Sequence, residues 1–473
     1  MFIKLCDDTF VRKFGSIGYI MHQTVRKDRV YDGMGAMFLL ELPRKPKRIE
    51  QIVASLTEIF PDAPSDELAR DFKDFVTELE TEGFVATGID LASAEIAQPI
   101  FSYSNKGNKS IDFSLNANDN HLSSADFLEG HFSATPTLFS LQVEITGRCN
   151  ARCVHCYHPE FRDERHMEDN VVIDLIDQLA EMNALEMSFT GGEALLHPGL
   201  PSFLRHARKK DMYISLLTNA TLLTSEMIAV LKEVNVGFLN ISLYSLDAQA
   251  HDAITRVSGS CQRTKCAIEK LVESDVRLQI NCPVMKENLS TFGDVLQWGE
   301  SIGVKVNCDL SLMARTDFST SNLTHRLNID DCGSAINTII KHDNNYRALI
   351  SGCRNSKRVG AESPVCGVGN SMMCVSANGD FYPCPGFKYV VGNALRDRVA
   401  DVWHFSEGMK SLRQIKMGSF PQCINCNSLD FCTICLSHNF NESSGDMLKI
   451  PERKCAIGKL NHQIADEFVA SLK

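Results

Sequence analysis

The chain has 473 residues, room for roughly three domains of about 150 each, and its 44% hydrophobic and 23% charged residues are an ordinary globular balance. A formal net charge of −11 has the wrong sign for a protein whose main partner is nucleic acid. No apolar run nears the ~20 residues of a membrane span, and Met1 to Asp8 lacks the basic and long apolar regions of a signal peptide. A cytoplasmic setting without a membrane partner is therefore expected, where thiols stay reduced. The 18 cysteines then read as metal ligands rather than disulfides.

Residues 1–90 read as a small independent unit. Phe10–Gln23 and Lys27–Tyr31 have the alternation and β-branched content of short strands. Gly33–Leu42 is a short helix closed by Pro43, and Ile49, Ile52, Val53, Leu56 and Ile59 recur at helical spacing over Ile49–Phe60. After the break at Pro61-Asp62-Ala63-Pro64, Ser65 is the expected N-cap of a third helix to about Glu82, with Leu68, Phe72, Phe75, Val76 and Leu79 on one face. Strands followed by three helices give a winged-helix-like order. Residues 91–138 read as a linker, most clearly at Asn105–Ser110 and Asn116–Ser124.

From 139 to 330, strand-like runs (Leu141–Thr146, Glu186–Thr190, Tyr213–Thr218, Phe238–Leu243, Arg277–Pro283, Lys305–Asp309) alternate with helix-like ones (Asn170–Met182, Gly199–Lys210, Ser225–Glu233, Cys261–Ser274, Leu289–Ile302). Such alternation predicts an α/β fold, a parallel sheet covered by helices and curled into a partial (β/α)6 TIM-like barrel. Ligands of parallel sheets gather at the carboxyl ends of the strands.

Cys149, Cys153 and Cys156 directly follow the first of these strands. Three thiols on one tight loop cannot pair without strain, but they can hold three corners of an iron–sulfur cube and leave the fourth iron open to chemistry. A zinc loop or free thiols would present the same residues. The downstream residues decide between these readings. Gly191-Gly192-Glu193 ends the second strand, Thr218-Asn219 the third and Ser242 the fourth. Residues 331–473 then carry Cys366-x12-Gly379-x4-Cys384 and Cys423-x2-Cys426-x5-Cys432-x2-Cys435, with Cys353, Cys374 and Cys455 besides.

The Cys149-x3-Cys153-x2-Cys156 loop after a first strand, with these other parts in order, resembles the radical S-adenosylmethionine (SAM) enzymes. That resemblance implies a [4Fe–4S] cluster on the three thiols. It also implies cofactor contacts from Gly191, Gly192, Glu193, Thr218, Asn219, Ser242 and Arg256, and from His155 in a usually aromatic place beside the adenine. His251 and Asp252 would alternatively serve only to cap a helix. In the family, reductive cleavage of SAM yields a 5′-deoxyadenosyl radical that abstracts hydrogen from a C–H bond. The distal array resembles the SPASM domain, implying two auxiliary [4Fe–4S] clusters and three in all. Cys366, Cys384 and Cys435, with Cys353 or Cys374, would hold one, and Cys423, Cys426, Cys432 and Cys455 the other; two zinc ribbons are the alternative. One residue fewer than usual precedes Cys435. The remaining cysteines, Cys6, Cys261, Cys266, Cys282, Cys308 and Cys332, read as small buried apolar residues.

Residues 1–90 resemble the RiPP recognition element, in which a leader peptide adds to a sheet edge. Here that edge is Lys27–Asp32, with the third helix as floor. Its acidic run from Asp66 to Glu82 opposes DNA binding. Together these resemblances imply an oxidoreductase acting on a ribosomal precursor peptide and reduced by a flavodoxin- or ferredoxin-type donor. It would form an oxidative cross-link, a thioether first and a carbon–carbon bond second. A sulfatase-maturase-like formylglycine-forming enzyme and a peptide epimerase are the alternatives.

Overall fold

The computed structural model describes residues 1–24, 27–97, 124–159, 164–343, 346–347 and 360–471. The expected ligand Cys353, the loop at Asn105–Ser110 and most of Asn116–Ser124 lie outside them.

The N-terminal unit holds two small sheets. Strands β1 (Phe2–Leu5), β5 (Lys47–Arg48) and β6 (Val85–Gly88) form one, in the order β5-β1-β6. Strands β2 (Thr9–Phe14), β3 (Ile17–His22) and β4 (Lys27–Tyr31) form an antiparallel meander. Helices α1 (Gly33–Leu40), α2 (Ile49–Ile59) and α3 (Ser65–Thr81) cover them. The expectation of strands followed by three helices misses β1, β5 and β6, which are short and pair only across long sequence distances. Ser65 is not the N-cap: Pro64 occupies that place, and the helix begins at Ser65. The described parts of the expected linker are not plain loop. They contain α4 (Leu91–Ile96) and α5 (Ser124–Ala134), and Leu128 and Phe132 of α5 share a core with Phe10, Phe14 and Tyr19.

Beyond it, six parallel strands run in sequence order: β7 (Ser140–Thr146), β8 (Glu186–Gly191), β9 (Tyr213–Thr218), β10 (Phe238–Ser242), β11 (Leu278–Asn281) and β12 (Lys305–Asn307). Between them lie α6 (Asp169–Glu181), α7 (Leu200–Lys209), α8 (Ser225–Glu233), α9 (Ala248–Thr255), α10 (Ser260–Glu273) and α11 (Phe292–Ser301). This is the expected partial barrel, with two helices rather than one between β10 and β11. One strand face is apolar. Leu141, Val143, Phe189, Ile214, Leu216, Ile241 and Ile280 pack there against Val172, Leu175, Leu179, Phe203 and Ile268 of the helices. The other face presents half-buried Gln142, Glu144, Ser188, Asn240 and Gln279. Parallel strands are usually apolar on both faces; the alternation here gives the barrel a polar inner wall.

Helix α12 (Ile329–His342) follows the barrel. Strand β13 (Met372–Val375) then returns and pairs parallel to β7, with Cys374 opposite Gln142. Strands β14 (Asp380–Tyr382) and β15 (Gly392–Asn393) continue antiparallel, so barrel and Cys-rich region share one nine-stranded sheet. Among the described residues no helix is long and apolar enough to cross a membrane.

Candidate active site

The loop after β7 is held at many points. Gly147 N donates to Arg165 O (2.9 Å), Arg152 N to Thr255 O (3.0 Å) and Val154 N to Ile254 O (2.9 Å). The second and third bonds tie it to the end of α9. Asn322, 1% exposed, donates to Met313 O at 2.8 Å and approaches the carbonyls of His155 and Cys156 at 3.4 Å. The loop's buried polar backbone is thus largely satisfied by its surroundings. All three thiols are half-buried, and Ala151 N donates to Cys149 Sγ at 3.4 Å.

The glycines of Gly191-Gly192 serve the loop first. A Cβ on Gly191 (φ +149) would meet Thr146 O at 2.3 Å, and one on Gly192 would meet Arg148 O at 2.2 Å. Gly192 N donates to Thr146 O (2.7 Å) and Glu193 N to Arg148 O (2.8 Å), locking β8 to the start of the thiol loop. Glu193 is 2% exposed, and its carboxylate is engaged by neighbouring donors. It accepts from Leu195 N (3.1 Å), Thr218 Oγ1 (2.5 Å) and Asn219 N (2.8 Å). Burial raises its carboxyl pKa, against those three donors. Thr218 is engaged by Glu193 and by Ala220 N (2.9 Å). Asn219 donates to Asn150 Oδ1 (2.9 Å), Asn150 to Thr221 Oγ1 (2.8 Å), and Thr221 back to Asn219 Oδ1 (2.6 Å), a closed ring joining the thiol loop to β9.

A small cavity opens beside this ring, lined by Asn150, Cys153, Asn219, Ser242 and Tyr244. Arg256 does not line it. This exposed residue sits at the left-handed C-terminus of α9 (φ +58). Asp252 takes the capping role: it accepts from Ser260 Oγ (2.8 Å) and Cys261 N (2.9 Å) at the start of α10. His155 packs edge-on to Tyr244, with ring centroids 4.9 Å apart, and burial pulls its pKa down to about 4.

The distal thiols form two electrostatic groups. Burial raises Cys384 to about 12, with Cys435 and Cys366 adding repulsion. Burial likewise raises Cys366, helped by Cys435, and puts Cys374 well above its usual value, helped by Cys384 and Glu144. Cys423 rises to about 11 through burial and its neighbours Cys432, Cys455 and Cys426. Burial and thiol–thiol repulsion are penalties that a coordinated cation relieves, since a coordinating thiol is deprotonated outright. Among the described residues no three His, Cys, Asp or Glu side chains draw close enough to hold a single metal ion. A cube binds each sulfur on its own iron, so its ligands need not meet at one point. The donor set suits such clusters. Cys6, Cys261, Cys282 and Cys332 are buried as expected, whereas Cys266 and Cys308 are only half-buried.

Between the thiol loop and the β13–β14 turn lies a cavity of about 150 Å³, lined by Glu144, Tyr157, Gly192, Thr316, Asn378 and Lys388 among others. His158 Nε2 lies 3.7 Å from Glu144 Oε1 at its edge. Sequence reasoning missed Glu144, Asn150 and Tyr244. The signals were present: Glu144 is a charged residue at the polar place of the alternation Leu141–Ile145, Asn150 adjoins Cys149, and Tyr244 stands two residues after Ser242.

Three family models match the chain: the radical SAM superfamily over 143–299, an iron–sulfur cluster-binding domain (SPASM) over 366–427, and coenzyme PQQ synthesis protein D (PqqD) over 30–85. Among curated proteins, the PqqA peptide cyclase of Streptomyces rochei is 25% identical over 57% of this chain and 77% of its own. The AdoMet-dependent heme synthase of Nitratidesulfovibrio vulgaris is 24% identical over 67% and 92%. Among solved structures, Streptococcus suis SuiB bound to precursor peptide SuiA superposes with TM-score 0.62 at 13% identity, over 93% of this chain and 97% of that one. The anSMEcpe protein with bound AdoMet gives 0.58 at 16% identity, over 70% and 98%. The fold and the three matched segments agree. Radical SAM, SPASM and PqqD segments in one chain, with peptide-cyclase relatives, support a radical SAM/SPASM enzyme acting on a peptide.

Proposed function

We propose that this protein is a leader-dependent maturase that forms an oxidative cross-link in a ribosomal precursor peptide, a thioether before a carbon–carbon bond. The observation that carries this reading is the meeting of two thiol sets at one end of one sheet. The loop bearing Cys149, Cys153 and Cys156 and the β13–β14 hairpin, with Cys374 on β13 and Cys384 just past β14, flank a common cavity. On this reading residues 1–90 hold the leader, 139–330 form the catalytic barrel, and 331–473 carry two auxiliary [4Fe–4S] clusters besides the one on the barrel. When bound, the cluster and SAM supply a carbon-centred radical able to remove hydrogen from an unactivated C–H bond.

The chain's own residues do the rest. Cys149, Cys153 and Cys156 hold three irons. Gly191, Gly192 and Glu193 brace that loop, while Asn219, Ser242 and His155 border the cofactor. Cys366, Cys384 and Cys435 with Cys374 or Cys353, and Cys423, Cys426, Cys432 and Cys455, would hold two auxiliary clusters, which would supply a route for an electron leaving the site. Strand β4 has no strand partner on its outer side among the described residues, and Phe75 of α3 packs on Tyr31 beneath it (5.1 Å). That is the edge-and-floor arrangement a leader strand needs. The named relatives include peptide cyclases, and SuiB was solved with its precursor peptide. Other relatives are heme synthases; the PqqD match over 30–85 favours a peptide.

Anaerobic incubation with dithionite, SAM and the candidate precursor tests this. The expected products are 5′-deoxyadenosine and a peptide lighter by two hydrogens. A peptide of unchanged mass in ordinary water would point to epimerisation. No 5′-deoxyadenosine from fully loaded protein, at about twelve irons per chain for three four-iron clusters, would end the enzyme reading.

A further inference from the structure

Ser242 and Tyr244 lie two residues apart where β10 ends, and both line the small cavity beside Cys153. The Tyr244 side chain is 5% exposed and packs with Val154, Ile254, Met285 and Leu312. Its ring is wedged between His155 (4.9 Å) and His251 (5.3 Å). Its carbonyl accepts from Asn288 Nδ2 at 2.8 Å. Ring and backbone are therefore both anchored, and the hydroxyl has little freedom in where it points. It points at sulfur: Tyr244 Oη lies 4.0 Å from Cys153 Sγ, and the Ser242 side chain lines the same cavity.

A phenol is protonated at neutral pH. A thiolate that ligates iron carries no proton, so the only hydrogen available to this pair is the tyrosine's. We propose that Tyr244 is a positioning residue that donates a hydrogen bond to the Cys153 sulfur and raises the reduction potential of the cluster held by Cys149, Cys153 and Cys156. In this proposal the Ser242 hydroxyl donates in turn to the Tyr244 oxygen and polarises that bond. The inference rests on the cluster reading under Proposed function, not on the identity of the peptide. Its physical basis is that hydrogen bonds to cluster sulfurs favour the reduced, more negative state. On the same loop Cys149 receives its bond from a backbone N–H. The Cys153 bond comes from a side chain, so a single substitution removes it.

The test is an EPR-monitored redox titration of full-length, anaerobically reconstituted Tyr244→Phe beside wild type. The cluster of interest is the one whose signal changes when SAM is added. Phenylalanine keeps the ring and its packing. The expected result is full iron content, unchanged auxiliary potentials, and a more negative midpoint for this cluster alone. A change of about tenfold in the reduction equilibrium corresponds to about 59 mV for one electron. Ser242→Ala should shift the same midpoint in the same direction by less. A midpoint equal to wild type overturns the proposal, as does an equal shift in every cluster. Selective loss of this cluster from Tyr244→Phe overturns it too, by making the hydroxyl an assembly requirement. A wild-type protein with no SAM-responsive signal would instead refute the underlying cluster reading and take this proposal with it.

Discussion

The two ends of the barrel are built on opposite principles. At the carboxyl end of the strands the chain places polar groups: the Asn150–Asn219–Thr221 ring, buried Glu193, and a cavity walled by Glu144, Asn378 and Lys388. At the amino end it places apolar ones. Phe10 meets Tyr213 edge-on at 6.1 Å, Phe14 meets Phe139 at 5.6 Å, and Leu185 shares their core. Two buried guanidinium groups fasten this joint. Arg12 reaches Ala184 O (3.0 Å) and Asp211, and Arg277 reaches the carbonyls of Gln23 and Thr24. Tyr213, Leu185, Asn235 and Arg277 all lie at or just before the start of a strand. The N-terminal unit is thus docked against the floor of the barrel while the thiol loop forms its roof. A six-residue strand is about 20 Å long. A leader held at β4 would leave its modified residue at least about six extended residues away.

Substitutions at the two ends should therefore fail differently. Cys153→Ala should bring 5′-deoxyadenosine to background and remove about four irons per chain, with the melting of the N-terminal unit unchanged; retained cofactor cleavage would break the contrast. Phe14→Ala removes a fully buried ring from the docking core and should cost about 3–5 kcal/mol. Its signature is an earlier separate unfolding transition in calorimetry, with uncoupled SAM cleavage largely kept.

The next effect depends on pH. Burial alone would raise the Glu442 carboxyl, but His438 at 3.5 Å and Arg326 at 3.1 Å outweigh it and hold the pKa at about 2. A depressed carboxylate stabilises the fold fully above its ordinary value of 4.5 and loses that contribution as pH falls from there to about 2. The linkage is worth about 3 kcal/mol. The urea midpoints of wild type and Glu442→Gln should differ at pH 6 and converge near pH 2. Arg152→Ala, which deletes an exposed ion pair with Glu164, should change stability by less than about 1 kcal/mol. A larger loss would show that the guanidinium, which also donates to Cys149 O at 2.8 Å, orders the thiol loop.

The barrel was legible because its signal is local. Alternating β and α runs with glycine or asparagine at strand ends survive in any context, and every barrel strand begins within one residue of its expected position. The features that escaped were long-range. Strands β1 and β5 have four and two residues and gain their stability from partners some 45 to 85 positions away. Within the site, residue type was readable but direction was not. Glu193 looked like a ligand because a carboxylate after two glycines can face outward. Only the folded chain reveals three donors waiting on the inside. The direction of Arg256 was hidden for the converse reason, since the helix end that carries it turns through a left-handed residue and leaves it exposed.

Strand β13 constrains any attempt to recombine these enzymes. Because it hydrogen-bonds along β7 in parallel register from Met372 to Val375, the C-terminal region supplies the seventh staff of the barrel wall. A truncation near residue 330 would uncover β7 as a raw edge whose free N–H and C=O groups invite other strands. The barrel is thus not a cassette that can be lifted out at a linker. A chimera would have to bring its own closing strand, or be cut beyond the β13–β15 ribbon and keep the two thiol sets together.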